Sequence, residues 1–197
     1  MKEIVVYTDY VCPYCLLAEP MLRTAIEGRG IKITWRGFEL RPHPVPTLRV
    51  EDEYLPSVWR SSVYPMAERL GIDIQLPTIS PQPRTDKAFE ALLYAEQHDL
   101  GDAFSVAVLS AFFQKNLDIG DISILVKIGE QVGLNGASLK DALVQNRFRH
   151  QHQDFQRTAH GVHKIKVVPT IMIGDQRYEG VPNADWLYNA IGRLEAR

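Results

Sequence analysis

The two cysteines of this chain, Cys12 and Cys15, are separated only by Pro13 and Tyr14 and follow directly on an apolar run, Ile4 to Tyr7. That junction limits the fold more than any other stretch. A buried strand running into Cys12 and a helix opening at Pro13 put the first sulfur at a helix N-terminus. There, unpaired N–H groups and the macrodipole favour a thiolate over a thiol. Proline suits the first helical position, because its missing N–H is not needed there and its fixed φ stiffens the turn. Cys15, one turn further on, is within reach of a short disulfide and reads as the more buried, less reactive sulfur. Cys12 is therefore the candidate nucleophile and Cys15 the candidate resolving thiol.

Two other readings of the pair are a structural disulfide and half of a zinc site. Zinc needs two further ligands, and the six histidines lie far off in sequence. His150 and His152, two residues apart, fall on different faces of a helix. No metal is expected. His152 shares helical spacing with Phe148, Phe155 and Ala159 and reads as a core or boundary histidine. Arg147 and Arg149 read as a solvated basic patch, and His160 and His163 as solvated loop residues.

Past the first helix, which should run from residue 13 to about 27 with Pro20 kinking it, Ile31, Ile33 and Trp35 alternate with polar residues as a second strand. The result is a βαβ unit with the cysteines at its first turn. From Arg41 to Pro83 prolines crowd a loop-rich excursion around one short helical stretch. An all-helical block follows, with expected caps at Thr85, Asp102 and Asp121. Ser138 and Asp141 read as a capping box opening a long fourth helix through about Ala159. Phe104, Val106, Val108, Leu109, Phe112 and Phe113 make the second of these helices apolar nearly all round, hence buried. Thr170 to Ile173 and Arg177 to Val181 then read as strands joined at Gly174-Asp175-Gln176. A closing helix carries Leu187, Ala190, Ile191 and Leu194 behind an Asn183 cap.

A chain of 197 residues that is 45% apolar can bury a sizeable core without disulfide staples. Its net charge of −2, with signs interspersed, gives no field for nucleic acid. The N-terminus enters a strand with no leader pattern, and nothing reads as a membrane span, so a cytoplasmic location is expected. In a reducing cytosol a lone C-x-x-C pair is more often catalytic or metal-binding than structural.

The order β-α-β, a helical block, then β-β-α resembles a thioredoxin fold split by an all-helical insertion, an α/β fold. Three segments carry a closer resemblance: Thr8-Asp9-Tyr10-Val11-Cys12-Pro13-Tyr14-Cys15, then Trp35-Arg36-Gly37-Phe38-Glu39-Leu40-Arg41-Pro42, then Val168-Pro169-Thr170. They resemble the DsbA-like thioredoxin superfamily, and within it the FrnE-like oxidoreductases and their 2-hydroxychromene-2-carboxylate isomerase relatives. The resemblance implies residues 1–40 and 160–197 as the thioredoxin-like domain and 41–159 as the insertion. It implies a cis-proline at Pro169 facing the cysteines, with Pro13, Tyr14, Val168 and Pro169 as substrate-binding positions. Lys164 and Val167 stand where many such chains carry glycine.

The function implied is thiol–disulfide exchange with disulfide-containing proteins or glutathione, with no tightly bound cofactor and glutathione as a possible co-substrate. Asp9 and Glu39 are candidate proton acceptors near the dithiol. Glutaredoxins share the Cys-Pro-Tyr-Cys sequence, which points to a potential of roughly −200 to −230 mV and to reductase or isomerase work. The alternatives are glutathione-dependent isomerase or transferase chemistry on a small molecule, as in the isomerase relatives, and a redox sensor whose partner reads the dithiol state.

Overall fold

The computed structural model describes residues 2–196. Strand β1 (Glu3–Thr8) pairs in parallel with β2 (Lys32–Gly37), with helix α1 (Pro13–Ile26) as the crossover. On its other side β1 pairs antiparallel with β3 (Thr170–Ile173), and β3 pairs with β4 (Gln176–Glu179), giving the order β2-β1-β3-β4. Position explains sequence here. As an inner strand, β1 buries Ile4 and Val6 completely and Tyr7 nearly so, which is why its run is apolar rather than alternating. Edge strand β2 keeps the alternation, with Lys32 exposed and Ile33, Trp35 and Gly37 buried.

The proline-rich stretch carries α2 (Tyr54–Val58), a π-helical turn (Trp59–Val63) and α3 (Tyr64–Leu70) in succession. The helical block consists of α4 (Asp86–Glu96), α5 (Gly101–Phe113), α6 (Ile122–Gln131), α7 (Gly136–Val144) and α8 (Arg149–Gly161), and α9 (Ala184–Glu195) closes the chain. α5 packs on both α1 and β2, and α8 packs on α4 and β2. One buried cluster therefore joins Ile4 and Leu17 to Phe112 and Leu139. No helix among the described residues is long and apolar enough to cross a membrane.

Several helix ends differ from the sequence expectation. Asp121 and Asn183 do cap α6 and α9, each accepting a backbone N–H. Thr85 makes no capping bond to α4. Asp102 lies inside the first turn of α5 instead of ahead of it, because its carboxylate is taken by other elements. It accepts from both terminal guanidinium nitrogens of Arg23 at 2.7 and 2.9 Å and from the Trp35 indole N–H at 2.8 Å. Asn135, not Ser138, caps α7, with the Ser138 N–H as donor.

The expected long fourth helix is two helices. Asn146 sits at φ 54, in the left-handed region that ends helices and that asparagine tolerates. Lys87 of α4 holds the break, donating to the Leu143 carbonyl at 2.9 Å and the Asn146 side chain at 2.6 Å. The last hairpin is also tighter than expected. Gln176 already pairs with Ile173, so Gly174 and Asp175 alone make the turn, and Gly174 takes φ 59.

Candidate active site

Cys12 is the N-cap residue of α1, in extended conformation, with Pro13 in the first turn. Its N–H donates to the Asp9 carbonyl at 2.9 Å, and its carbonyl accepts the Cys15 N–H at 3.0 Å. The two sulfurs are thus fixed by backbone bonds on both sides of the turn. Both cysteines are free thiols, Cys12 6% and Cys15 0% exposed. Cys12 is the more accessible of the two.

The Val168–Pro169 peptide bond is cis, as are His43–Pro44 and Ser80–Pro81. The Cys12 Sγ–H donates to the Val168 carbonyl at 3.3 Å, so the segment before β3 lies directly against the first cysteine. Val168 and Pro169 are themselves buried, while Val167 beside them is 42% exposed. Lys164 has φ 53, a conformation that glycine adopts without the Cβ penalty. Pro13 and Tyr14 are half-buried, and the Tyr14 hydroxyl bonds the Ser62 hydroxyl at 2.7 Å, tying the dithiol helix to the π-helical turn. Of the six predicted site residues, then, Cys12, Cys15, Val168 and Pro169 converge, with Pro13 and Tyr14 between the sulfurs.

Burial pushes the Cys15 thiol well above the ordinary cysteine pKa, and the neighbouring Cys12 sulfur pushes it further. The Thr8 hydroxyl and the Asp9 backbone N–H partly oppose that rise. The Thr8 hydroxyl is buried and has no well-formed hydrogen bond among the described residues. In the sequence Thr8 only opens the segment that carries the resemblance, with no role assigned, since a threonine ending a buried strand is common.

The two candidate acids have different surroundings. Asp9 is 1% exposed, and burial raises its pKa from 3.8 to about 6 despite the Leu40 N–H at 2.8 Å on Oδ2 and weaker help from the Thr85 hydroxyl. Its Oδ1 has no well-formed hydrogen bond. Glu39 instead turns to α8, where Oε1 meets His152 Nε2 at 2.7 Å. The Glu39 N–H and carbonyl are both bound by the Gln156 side chain, at 2.9 and 3.0 Å. His152 is a core histidine, 3% exposed and stacked on Phe89. His160 and His163 are exposed as expected, their rings tilted against Phe38 and Tyr7, but His160 lies in α8 and not in a loop.

No group of three or more His, Cys, Asp or Glu among the described residues is arranged to hold a metal ion. The chemistry this arrangement can support is sulfur exchange: the less buried sulfur at a helix N-terminus, a fully buried partner one turn away, and a backbone carbonyl alongside.

Comparison with known proteins agrees with that geometry. Over 190 residues, 96% of this chain and 95% of the relative, the sequence is 41% identical to the uncharacterized protein YwbO of Bacillus subtilis (strain 168). In fold it is similar to a probable DsbA oxidoreductase from Streptomyces coelicolor, with a TM-score of 0.79 and 16% identity over 100% of this chain and 91% of that one. A 2-hydroxychromene-2-carboxylate isomerase superimposes with a TM-score of 0.79 and 18% identity over 98% and 95% of the two chains. The cytosolic disulfide reductase DsbM from Pseudomonas aeruginosa, solved with GSH, does so with a TM-score of 0.68 and 18% identity over 98% and 96%. Residues 3–192, nearly the whole chain with both cysteines and Pro169, match one family model, and the chain belongs to the family of the DSBA-like thioredoxin domain.

Proposed function

We propose that this protein is a thiol–disulfide oxidoreductase, with Cys12 as nucleophile and Cys15 as resolving thiol. The observation that carries the reading is the asymmetry of the pair: Cys12 at the α1 N-cap against the Val168 carbonyl, Cys15 fully buried behind it. The Cys12 thiolate attacks one sulfur of a substrate disulfide, forming a mixed disulfide and releasing the other sulfur as a thiolate. Cys15 then loses its proton and attacks Cys12 Sγ. The Cys12–Cys15 disulfide forms, the second substrate thiolate leaves, and two electrons have passed to the substrate.

The buried Cys15 thiol resists ionisation, so this second step needs help. The Thr8 hydroxyl and Asp9 N–H stabilise the forming thiolate, and the Asp9 carboxylate is the buried base nearest in sequence to receive the proton. An extended substrate segment lying across Cys12 pairs with the backbone at Val168, with Pro169, Pro13 and Tyr14 as its other walls. Disulfide-bonded proteins and glutathione are the substrates this reading names, and a reducing cytoplasm suits net reduction.

The test is Cys15→Ser. Mixed with a disulfide-bonded peptide, it accumulates a Cys12 adduct visible by intact mass, and Cys12→Ser forms none. Glutathione-dependent turnover of a small molecule that survives Cys15→Ser undiminished, with no trapped adduct, replaces the dithiol reading with the isomerase one.

A further inference from the structure

The last ladder bond at the end of β2 is made by Phe38, whose N–H donates to the Thr8 carbonyl at 2.9 Å, and the chain then leaves the sheet. Glu39 follows at 9% exposure, with a buried N–H and C=O that no strand pairs. The Gln156 side chain, on α8 of the helical block, serves both. Its amide oxygen accepts the Glu39 N–H at 2.9 Å and its amide nitrogen donates to the Glu39 carbonyl at 3.0 Å. We infer that Gln156 is a positioning residue for the dithiol: it fixes the peptide unit between residues 39 and 40, aims the Leu40 N–H at the Asp9 carboxylate, and so controls how readily Asp9 takes the Cys15 proton. The inference rests on the reading of Asp9 as the acceptor of that proton.

The connection is short. The Glu39 carbonyl held by Gln156 and the Leu40 N–H held by Asp9 belong to one planar peptide unit, so holding the first orients the second. The Leu40 N–H donates to Asp9 Oδ2 at 2.8 Å, while Oδ1 has no well-formed partner among the described residues. That bond is therefore the strongest the carboxylate receives. Asp9 is in turn tied to both cysteines, its carbonyl accepting the Cys12 N–H at 2.9 Å and its own N–H facing the Cys15 sulfur. The bond from His152 to Glu39 Oε1 fixes a side chain and does not orient this peptide plane.

The titratable and charged groups around Asp9 are Glu39 from the loop after β2, Tyr10, Cys12 and Cys15 at the start of α1, and Arg41 and Arg84 along the shallow cleft it borders. None of them hydrogen-bonds its carboxylate among the described residues. The Leu40 N–H favours the ionised carboxyl, against the burial that raises its pKa to about 6. Turning that N–H away keeps Asp9 protonated to higher pH, where it accepts no proton.

The test mixes reduced protein with excess oxidised glutathione from about pH 5 to 8, and acid quench with intact mass follows the Cys12 adduct as it forms and as Cys15 resolves it. Asp9→Asn should slow resolution and abolish its acid limb, which separates Asp9 from His152 and His160 near the clamp. Gln156→Leu and Gln156→Ala should each move that limb upward by about 0.5–1 pH unit, the scale of weakening one hydrogen bond to a charged group, with adduct formation unchanged. Carbon-13 NMR of the Asp9 carboxyl should show the same displacement in the reduced protein, without any thiol exchange. Asp102→Ala, which loosens packing elsewhere, should leave the limb in place. If Asp9→Asn slows resolution but neither Gln156 variant moves the limb or the carboxyl titration, this inference alone is overturned. An equal displacement in Asp102→Ala overturns it too, because Gln156 then acts only through packing. Resolution unchanged in Asp9→Asn overturns the acceptor reading and the inference with it.

Discussion

Asp9 gives the sharpest quantitative expectation. Its carboxyl is buried, and burial lifts its pKa from 3.8 to about 6. The native state therefore holds this proton more tightly than the unfolded chain does. The stability contributed by the neutral form is complete below about pH 4 and is lost as pH rises towards 6, because ionisation is harder in the fold. A displacement of roughly two pKa units corresponds to about 3 kcal/mol, withheld from the native state at neutral pH and restored in acid. Asp9→Asn cannot ionise. Asparagine keeps an oxygen to accept the Leu40 N–H, although its amide nitrogen faces the Val11 N–H less favourably, so the absolute change at one pH mixes several effects. The difference between two pH values isolates the titration. Urea unfolding of both proteins at about pH 3.5 and about pH 7.5 should show the variant gaining 2–3 kcal/mol on the wild type between the two conditions. A gap that stays constant within about 0.5 kcal/mol would refute the claim that Asp9 titrates under a burial penalty. If Asp9 also receives the Cys15 proton, the same variant slows resolution of the mixed disulfide while leaving its formation at Cys12 unchanged, as stopped-flow quenching would report.

Other consequences concern packing and the walls of the site. A Cβ on Gly37 would lie 2.5 Å from the Phe89 ring, which also stacks on Tyr10 and His152, so Gly37→Ala should cost about 1–3 kcal/mol in denaturant unfolding. Phe89→Leu introduced beside it should recover part of that loss, and no recovery would count against the clash. Asp102→Ala strips the partner from the buried Trp35 indole and from Arg23, with an expected loss of about 1–3 kcal/mol and a changed Trp35 fluorescence. Tyr14→Phe removes the bond to Ser62 and should lower stability by about 0.5–1.5 kcal/mol while leaving trapping at Cys12 intact.

The fold was legible wherever the sequence carried its own periodicity. β1, β2 and α1 follow from an apolar run, an alternation and a proline at the first helical turn, and the almost wholly apolar α5 read as buried because it is. Expectation failed where a tertiary partner decided a local choice. Asp102 looks like a cap in isolation but serves Arg23 and Trp35, residues 79 and 67 positions away. The break between α7 and α8 depends on Lys87 reaching across from α4, which no local pattern records.

The site divides the same way. The cysteines and Pro169 are marked by spacing and resemblance. Val168 is marked by resemblance too, but that its carbonyl accepts from Cys12 156 residues away, and that Gln156 clamps Glu39, are set by contacts among distant segments. Glu39 illustrates the limit best. In sequence it reads as a candidate acid near the dithiol, yet its carboxylate is committed to His152, 113 residues on.

The most direct test of the central claim is the redox equilibrium of Cys12 and Cys15 across a series of reduced-to-oxidised glutathione ratios, read by acid quench and intact mass. The account predicts one reversible two-electron transition to an intramolecular disulfide, near about −200 to −230 mV, with a glutathione adduct persisting only when Cys15 is replaced by serine. If no Cys12–Cys15 disulfide forms at any ratio while glutathione binds without a covalent bond, the pair is not a dithiol exchange centre and the account is wrong.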